Sequence, residues 1–396
     1  MNVLKLIGRT EGLFNDDIEQ CEEELRQQIC NSSFLVLGGA GSIGQAVVRE
    51  IFKRNPKSIH VVDLSENNLT ELVRDLRSSI GYISGDFKTF ALDIGSELFD
   101  IFMENNPKYD FVLNFSAIKH VRSEKDPYTL MRMIETNIFN TDKTISQSIT
   151  NGCKKYFCVS TDKAANPVNL MGGTKRIMEK ALMKRSEDIS ISTARFANVA
   201  FSDGSLLHGF NQRILKRQPL VAPKDVKRYF VTPEESGQLC MLAALMGGNR
   251  DIYFPKLSQH LHLISFSEIA VSFLEELNFS PFICENEEEA RAKAKELIPL
   301  NQWPCLFNKS DTTGEKSFEE FYTSNENVEM NQFNGIGIIK NEASTYKEVD
   351  LQRLRDKYAQ WLSSKSLSKE DIIEELLYHL PELDYQDKGK YLDEKM

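Results

Sequence analysis

A short apolar run followed at once by closely spaced glycines restricts this chain to few folds. Phe34-Leu35-Val36-Leu37 can form one buried strand, and glycines follow at 38, 39, 41 and 44, before a helical pattern over 45–53. Glycine permits a tight turn and a close approach to a pyrophosphate, whose charge is stabilised by free N–H groups at the helix N-terminus. The pattern predicts a dinucleotide-binding turn at Gly38, Gly41, Ser42, Ile43 and Gly44. A glycine-rich turn without a ligand is the alternative.

A second apolar run ends in an acidic residue and predicts which dinucleotide binds. Asp63 closes the run 59–63 and lies 19 residues after Gly44, where a carboxylate can accept hydrogen bonds from ribose hydroxyls. Positions 64–68 contain no arginine or lysine that could receive a 2′-phosphate, so NAD is favoured over NADP. Asp93 follows a third predicted strand and is a candidate for the adenine end of the cofactor, with a surface-loop aspartate as the alternative.

Strands and helices alternate as far as residue 200, which predicts a doubly wound parallel sheet of the NAD(P)-binding Rossmann type. Predicted strands cover 34–37, 59–63, 90–92, 110–115, 155–159 and 189–196, with helices over 45–53, 96–104, 127–151 and 168–184. We therefore predict a Rossmann domain over 32–200 and a smaller, interleaved substrate-binding part over 201–340, including helices over 234–246 and 285–296. An N-terminal helical extension covers 1–31, its helix over 16–30 packed outside the nucleotide fold or forming a subunit contact. A helical tail covers 341–396.

Composition and charge favour a cytoplasmic enzyme. The 396 residues carry a formal net charge of −10, which argues against binding nucleic acid. The chain has no apolar stretch of roughly 18 residues that could span a membrane, and no signal peptide. Its seven cysteines form no C-x-x-C pair, so no metal site is predicted and the thiols are expected to be reduced. A homo-oligomer is expected.

A short polar run predicts the reacting groups. Thr161, Asp162 and Lys163 follow the predicted strand 155–159, and Lys175 lies on the next helix. Nicotinamide-dependent enzymes of the short-chain type place Tyr-x-x-x-Lys on this helix, where the lysine lowers the pKa of the phenol so that it can act as a base. Here Met171 occupies the tyrosine position, and a thioether cannot take a proton. That role must be lost, moved to another group or performed through water.

Several segments together resemble the capsule-type UDP-N-acetylglucosamine 4,6-dehydratases of the extended short-chain dehydrogenase/reductase superfamily. These segments are Ser160-Thr161-Asp162-Lys163-Ala164-Ala165-Asn166-Pro167, Asn169-Leu170-Met171-Gly172-Gly173-Thr174-Lys175, Ala117-Ile118-Lys119-His120-Val121, Arg195-Phe196-Ala197-Asn198-Val199, Arg228-Tyr229-Phe230-Val231-Thr232, and Gly314-Glu315-Lys316 with Phe318-Glu319-Glu320. The resemblance covers roughly residues 32 to 325, and some members have methionine where others have the tyrosine. Three departures concern substrate identity: Asp311-Thr312-Thr313 replace the family's arginine, Ala197 replaces a glycine, and the tail after 340 has no counterpart in short members.

The resemblance implies an internal redox cycle on a nucleotide sugar in bacterial surface-glycan synthesis. NAD takes hydride from sugar carbon 4, water is eliminated across carbons 5 and 6, and the hydride returns to carbon 6. Lys163 is predicted to be the base, neutral because of desolvation and cationic surroundings, and Asp162 the acid. An exposed turn with a surface ion pair is the alternative for these two residues. Thr161 would hold the carbon 4 hydroxyl and Lys175 the nicotinamide ribose.

The remaining candidates are predicted to bind either the cofactor or the substrate. Ser116 and Ala117 are expected at the cofactor. Lys119 and His120 are expected at the sugar or the cofactor, and Asn198 and Arg228 at the diphosphate. Structural roles are the alternative for each. At the level of the whole protein, an epimerase or reductase acting on a nucleotide sugar, or a dinucleotide-binding protein with a dead site, are the alternatives.

Overall fold

The structure is a computed structural model that describes residues 1–106, 108–257, 263–310, 319–342 and 349–387. The Gly314-Glu315-Lys316 segment lies outside the described residues. The strands are β1 Ser33–Leu37, β2 Ser58–Asp63, β3 Asp86–Ala91, β4 Phe111–Asn114, β5 Lys155–Val159, β6 Ser190–Ala194, β7 Asn198–Val199, β8 Leu220–Pro223, β9 Lys227–Arg228, β10 Phe230–Val231, β11 Ile252–Pro255, β12 Ile264–Ser265, β13 Ser280–Ile283, β14 Gln302–Asn308, β15 Val328–Glu329 and β16 Ile336–Ile339.

Helices occupy most of the chain between these strands. The α-helices are α1 Val3–Leu6, α2 Asn15–Cys30, α3 Ser42–Phe52, α4 Glu66–Ser79, α5 Glu97–Asn105, α6 Pro127–Ile134, α7 Asn140–Thr150, α8 Leu170–Arg185, α9 Leu206–Leu215, α10 Pro233–Met246, α11 Phe266–Glu276, α12 Glu287–Leu297, α13 Leu351–Ser364 and α14 Lys369–His379. The predicted helix over 127–151 is α6 and α7 joined by a π-helical turn, Glu135–Phe139.

Nine strands in the described part of the chain form the central sheet, in the order β15-β16-β11-β6-β5-β4-β1-β2-β3. All neighbours from β3 through β11 are parallel, and β16 and β15 add antiparallel partners at one edge. β1 and β5 are buried along their whole length, as strands covered on both faces must be. The predicted doubly wound α/β class is confirmed. The strand order reverses between β1 and β4, where such folds have their ligand crevice.

Apolar side chains fill both faces of the sheet. α3 and α10 cover one face, and α10 is buried on nearly every side. α2 also packs on this face: its Leu25 and Ile29 are fully buried in the core, so this helix packs on the nucleotide fold. The residues after 200 add a three-stranded sheet, β13-β14-β8, with its own apolar cluster, before β15 and β16 return to the central sheet.

The C-terminal helices pack against the core rather than extending away from it. Leu354 of α13 and Leu376 of α14 are fully buried in a cluster with residues of α6, the π-helical turn and α8. The predicted two-helix tail thus contacts the helix that carries Met171. Among the described residues, no helix combines the length and apolar character needed to cross a membrane.

Candidate active site

The glycine turn lies where β1 ends, next to the end of β4. Gly38 has a φ of +67°, and a Cβ there would lie 2.6 Å from the backbone nitrogen of Ser116. A Cβ at Gly44 would overlap the Gly38 carbonyl oxygen, so α3 packs against the turn only because position 44 is glycine. α3 begins at Ser42 with Gly41 as its N-cap and, among the described side chains, none caps it. Such an N-terminus suits an anion, which its first N–H groups can bind.

Asp63 lies beside this turn at the end of β2. Its Oδ2 accepts a hydrogen bond from the Ala40 backbone N–H at 3.0 Å, and its Oδ1 accepts one from Ser65 N–H at 2.9 Å. A carboxylate has further lone pairs that ribose hydroxyls can use. The turn and Asp63 together fit an adenine dinucleotide, with the pyrophosphate at α3 and the ribose at Asp63.

The other predicted cofactor residues differ in their surroundings. Ser116 and Ala117 are half-buried beside Gly38, and Ile43 packs on the core next to it. The Ser42 hydroxyl donates to Asp203 Oδ2 at 3.0 Å and accepts from Asp203 N–H at 2.9 Å.

Asp93 lies after β3, where its carboxylate contacts one neighbour along the chain and one residue of α6. Its Oδ1 accepts from Gly95 N–H at 2.8 Å, and its Oδ2 pairs with Arg132 at 3.3 Å.

Asp162 and Lys163 begin a short 3-10 turn, Asp162–Ala164, just after the end of β5, and Thr161 is its N-cap. The Thr161 hydroxyl donates to Asp162 Oδ1 at 2.7 Å, and Lys163 Nζ donates to the same oxygen at 3.2 Å. Asp162 is 3% exposed and the Lys163 side chain 28%. This pair is therefore largely shielded from water, unlike the surface ion pair that was the alternative.

The charge of Lys163 corrects the sequence-based prediction. Its surroundings were predicted to be cationic and the amine neutral. Burial does oppose the charged form, but the carboxylates of Asp162 and Glu319 outweigh it and raise the pKa of Lys163 above its usual value of 10.5. Both carboxylates therefore favour the ammonium form of Lys163, and the sequence analysis considered only Asp162.

Glu319 also joins the two residues predicted to bind the diphosphate. The Asn198 amide donates to Glu319 Oε1, and the Arg228 guanidinium lies 3.7 Å from the same oxygen. Glu319 Oε2 accepts from the Tyr229 backbone N–H at 2.9 Å. Asn198 and Arg228 therefore contact a carboxylate that interacts electrostatically with Asp162 and Lys163, and the sequence analysis assigned this carboxylate no role.

Lys119 and His120 face a different loop. A Cβ at Gly204 would lie 2.8 Å from His120 Nε2, so the imidazole packs on this glycine. Lys119 is exposed and interacts electrostatically with Asp203, which also binds Ser42 at the start of α3. These two residues thus border the cofactor turn.

Met171 and Lys175 both lie on α8 but do not share an environment. Met171 is 3% exposed and belongs to the apolar cluster that includes the C-terminal helices. Lys175 Nζ donates to the Val159 carbonyl oxygen at 3.0 Å, and burial lowers the pKa of Lys175. Among the described residues, the packing partners of Met171 are those of this cluster.

The start of α8 depends on one glycine and one buried acid. A Cβ at Gly172 would lie 2.5 Å from the Lys163 carbonyl oxygen, so only glycine lets α8 approach this turn so closely. Glu124 Oε1 accepts from the Met171 backbone N–H at 2.7 Å, and Glu124 is fully buried. Burial is the main reason that the pKa of Glu124 rises to about 7.

Asn137 is a further polar residue that the sequence analysis missed. It is fully buried in the π-helical turn, where its amide accepts from Ile118 N–H at 2.9 Å and donates to Thr174 Oγ1 at 3.1 Å. It thereby fixes the loop of Lys119 relative to α8. Its only sequence signal was an asparagine within an apolar helical pattern, and π-helical turns are frequent at functional sites.

Comparison with known proteins assigns the chain to a family. Residues 34–292 match the model of a family described as polysaccharide biosynthesis protein. The chain belongs to this polysaccharide biosynthesis family. It is 26% identical over 329 residues to the capsular polysaccharide biosynthesis protein CapD of Staphylococcus aureus, which covers 81% of this chain and 53% of CapD. The chain thus spans about half the length of that relative.

Relatives of this chain carry names of two activities. A Campylobacter jejuni protein named UDP-N-acetylglucosamine 4,6-dehydratase (inverting) is 28% identical over 57% of this chain and 67% of its own length. A Rickettsia prowazekii protein named UDP-glucose 4-epimerase is 26% identical over 76% of this chain and 93% of its own. The X-ray structure of Pen from Bacillus thuringiensis shares the fold, with a TM-score of 0.63, 21% identity, and coverage of 86% of this chain and 99% of Pen.

Proposed function

We propose that this chain is a nucleotide-sugar 4,6-dehydratase that converts UDP-N-acetylglucosamine to a 4-keto-6-deoxy sugar nucleotide in bacterial surface-glycan biosynthesis. The observation that carries this proposal is the shielded Asp162–Lys163 pair at the end of β5, on the sheet edge where the glycine turn lies. Elimination of water needs a base at one carbon and an acid at its neighbour. Epimerisation at carbon 4 does not need such a pair.

The cofactor of this proposal is NAD, which would accept the carbon 4 hydride and return it to carbon 6 when bound. Gly38, Gly41, Gly44 and Asp63 would hold it. Lys175 would contact the nicotinamide ribose only after turning from the Val159 carbonyl oxygen. The absence of a basic residue at 64–68 supports NAD rather than NADP.

The resting charges of the pair lead to a closed proton cycle. Transfer of the ammonium proton from Lys163 to Asp162, across 3.2 Å, produces a neutral amine and a carboxylic acid. The amine then takes the proton from sugar carbon 5, and the acid protonates the hydroxyl that leaves carbon 6 as water. At this point Lys163 is an ammonium and Asp162 a carboxylate. When the hydride returns to carbon 6, the ammonium, whose protons exchange with solvent, protonates carbon 5. The proton released from the carbon 4 hydroxyl then restores the charge of Lys163.

The remaining site residues would position the sugar nucleotide. Thr161 Oγ1 lies on the same turn as the pair and would hold the carbon 4 hydroxyl. Asn198 and Arg228 would bind the diphosphate, and Lys119 and His120 would border both ligands. Met171 provides no phenol, so deprotonation at carbon 4 would use Thr161 with water or with Asp162.

A nucleotide-sugar 4-epimerase is the second candidate, because the Rickettsia protein named for that activity aligns over 93% of its own length. The missing tyrosine counts equally against both activities. The Asp162–Lys163 pair favours the dehydratase.

One experiment separates these functions. The purified protein is incubated with UDP-N-acetylglucosamine in D₂O and the nucleotide product is analysed by mass spectrometry and NMR. A dehydratase removes one water and introduces solvent deuterium at carbon 5, whereas an epimerase changes stereochemistry without loss of water. An unchanged sugar nucleotide after full loading with NAD would contradict the proposal.

A further inference from the structure

Glu319 lies deep in the site although it comes from a distant part of the chain. It is 4% exposed and accepts hydrogen bonds from the Asn198 amide, 121 residues away in sequence, and from the Tyr229 backbone N–H. It also interacts electrostatically with both Asp162 and Lys163. A buried carboxylate costs folding free energy unless charged or hydrogen-bonding groups compensate it, and here both kinds surround it.

A buried clamp holds the segment that carries this carboxylate. Arg195, at the end of β6, donates to the Phe321 carbonyl oxygen at 2.9 Å and to both carboxylate oxygens of Glu326, at 2.9 and 3.0 Å. Phe321 is 2% exposed and packs in an apolar cluster with Phe254. The segment from 319 to 326 is therefore fixed at both its backbone and its side chains, which fixes Glu319 relative to Lys163.

The charges that face Lys163 come from three elements. Asp162 lies on its own turn, Glu319 on the clamped segment, and Arg228 on β9. Glu319 favours the ammonium form of Lys163 and so opposes the transfer of its proton to Asp162, while Arg228 favours the neutral amine. Burial and then the charge of Asp162 raise the pKa of Glu319 to about 7. Glu319 therefore gains its negative charge, and with it its effect on the proton of Lys163, as the pH rises through neutrality.

We infer that Glu319 is a positioning residue of this site, whose carboxylate sets the charge carried by Lys163 and thereby the ease of proton transfer within the Asp162–Lys163 pair. The inference rests on the proposed function for its catalytic consequence. The effect of the Glu319 charge on the titration of Lys163 can be measured without turnover.

The first test measures Lys163 directly. The holoprotein is labelled with [ε-¹³C]lysine, the Lys163 signal is assigned with Lys163→Ala, and the signal is titrated in wild type and Glu319→Gln. Removal of the Glu319 charge should lower the Lys163 midpoint by at least about one pH unit. Where wild type turns over substrate, the alkaline limb of its kcat profile should move by the same amount, which a merely structural role would not produce.

Glu329→Gln is the matched control, since Glu329 lies in the same part of the chain and accepts only a local bond from Asn331 N–H among the described contacts. It should leave the Lys163 midpoint unchanged. Glu319→Asp, which keeps the charge, should retain most of the wild-type midpoint. A Glu319→Gln midpoint that coincides with that of Glu329→Gln would overturn the inference.

A reciprocal measurement covers the case in which Glu319→Gln does not fold. In protein labelled at glutamate Cδ, Lys163→Met should raise the Glu319 midpoint by at least about one unit, because coupling between two sites acts equally on both. An unmoved Glu319 midpoint would also overturn the inference. Wild type that shows coupled titrations but no dehydration would instead contradict the proposed function alone.

Discussion

Arg195 and Glu179 form a fully buried ion pair next to the turn that contains Asp162 and Lys163. Nε donates to Glu179 Oε1 at 2.8 Å and Nη2 to Oε2 at 2.7 Å, and both side chains are 0% exposed. Ser160, which precedes Thr161, donates to Glu179 Oε1 at 2.6 Å. One carboxylate on α8 thus connects the ends of β5 and β6. Although burial opposes ionisation, Arg195 holds the pKa of Glu179 down at about 2.

Breaking this pair should destabilise the protein strongly. Glu179→Gln leaves Arg195 with only part of its compensating charge, so we expect the free energy of unfolding to fall by about 3 kcal/mol in urea titrations. Glu187→Gln is the control: Glu187 is 54% exposed and 3.8 Å from Lys184, and its loss should cost less than about 0.5 kcal/mol. Equal losses of unfolding free energy for the two substitutions would show that the buried pair stabilises the protein no more than an exposed pair.

Glu124 should make stability depend on pH. Its pKa is about 7 in the folded protein and 4.5 ordinarily, so the folded state retains a proton that the unfolded state loses. Stability from this group is complete below pH 4.5 and falls by about 3 kcal/mol as pH rises to 7. Glu124→Gln should remove this slope. Unfolding curves of both proteins across pH 4.5–8 test it, and parallel pH dependences would refute the assignment.

The acid–base pair should dominate turnover. Lys163→Ala or Asp162→Asn should each lower kcat by at least about a hundredfold, the usual scale for a positioned proton-transfer group, while bound NAD is retained. Lys154→Ala provides the comparison, because that side chain is 71% exposed near the opposite end of β5. A near-normal kcat for either variant would show that the substituted residue is not the acid or base of the reaction.

Met171 should matter for packing more than for chemistry. Its side chain is buried in the cluster with the C-terminal helices, so Met171→Ala should lower the free energy of unfolding by about 2–5 kcal/mol. Met171→Leu should cost less than about 1.5 kcal/mol. Met171→Ala should also retain far more activity than Lys163→Ala. Complete loss of turnover with fold and NAD intact would mean that the thioether acts in the reaction.

The protein should purify with NAD(H), since the proposed cycle returns the hydride to the product. Asp63→Asn should weaken NAD binding by roughly tenfold or more, the scale of a hydrogen bond to a charged group. Chromatography of nucleotide released by denaturation identifies the cofactor, and Asp75→Asn, in an exposed pair with Arg49, controls for surface charge. Finding NADP as the sole bound dinucleotide would refute this assignment.

The sequence by itself determined the features that depend on neighbours along the chain. The strand, glycine turn and helix from Phe34 to Phe52 follow from local periodicity and from the steric demands at Gly38 and Gly44, and the structure has them. The position of Asp162 and Lys163 at a strand end follows from the same alternation of strands and helices. Such patterns need no knowledge of distant contacts.

Only the tertiary structure decided which charges and surfaces meet. Glu319 reaches Asn198 across 121 residues, and this distant carboxylate acts together with Asp162 to raise the pKa of Lys163. Met171 packs with the tail because α13 and α14 fold back onto α8. A pKa and a packing environment depend on every group nearby in space, whereas periodicity records only the groups nearby in sequence.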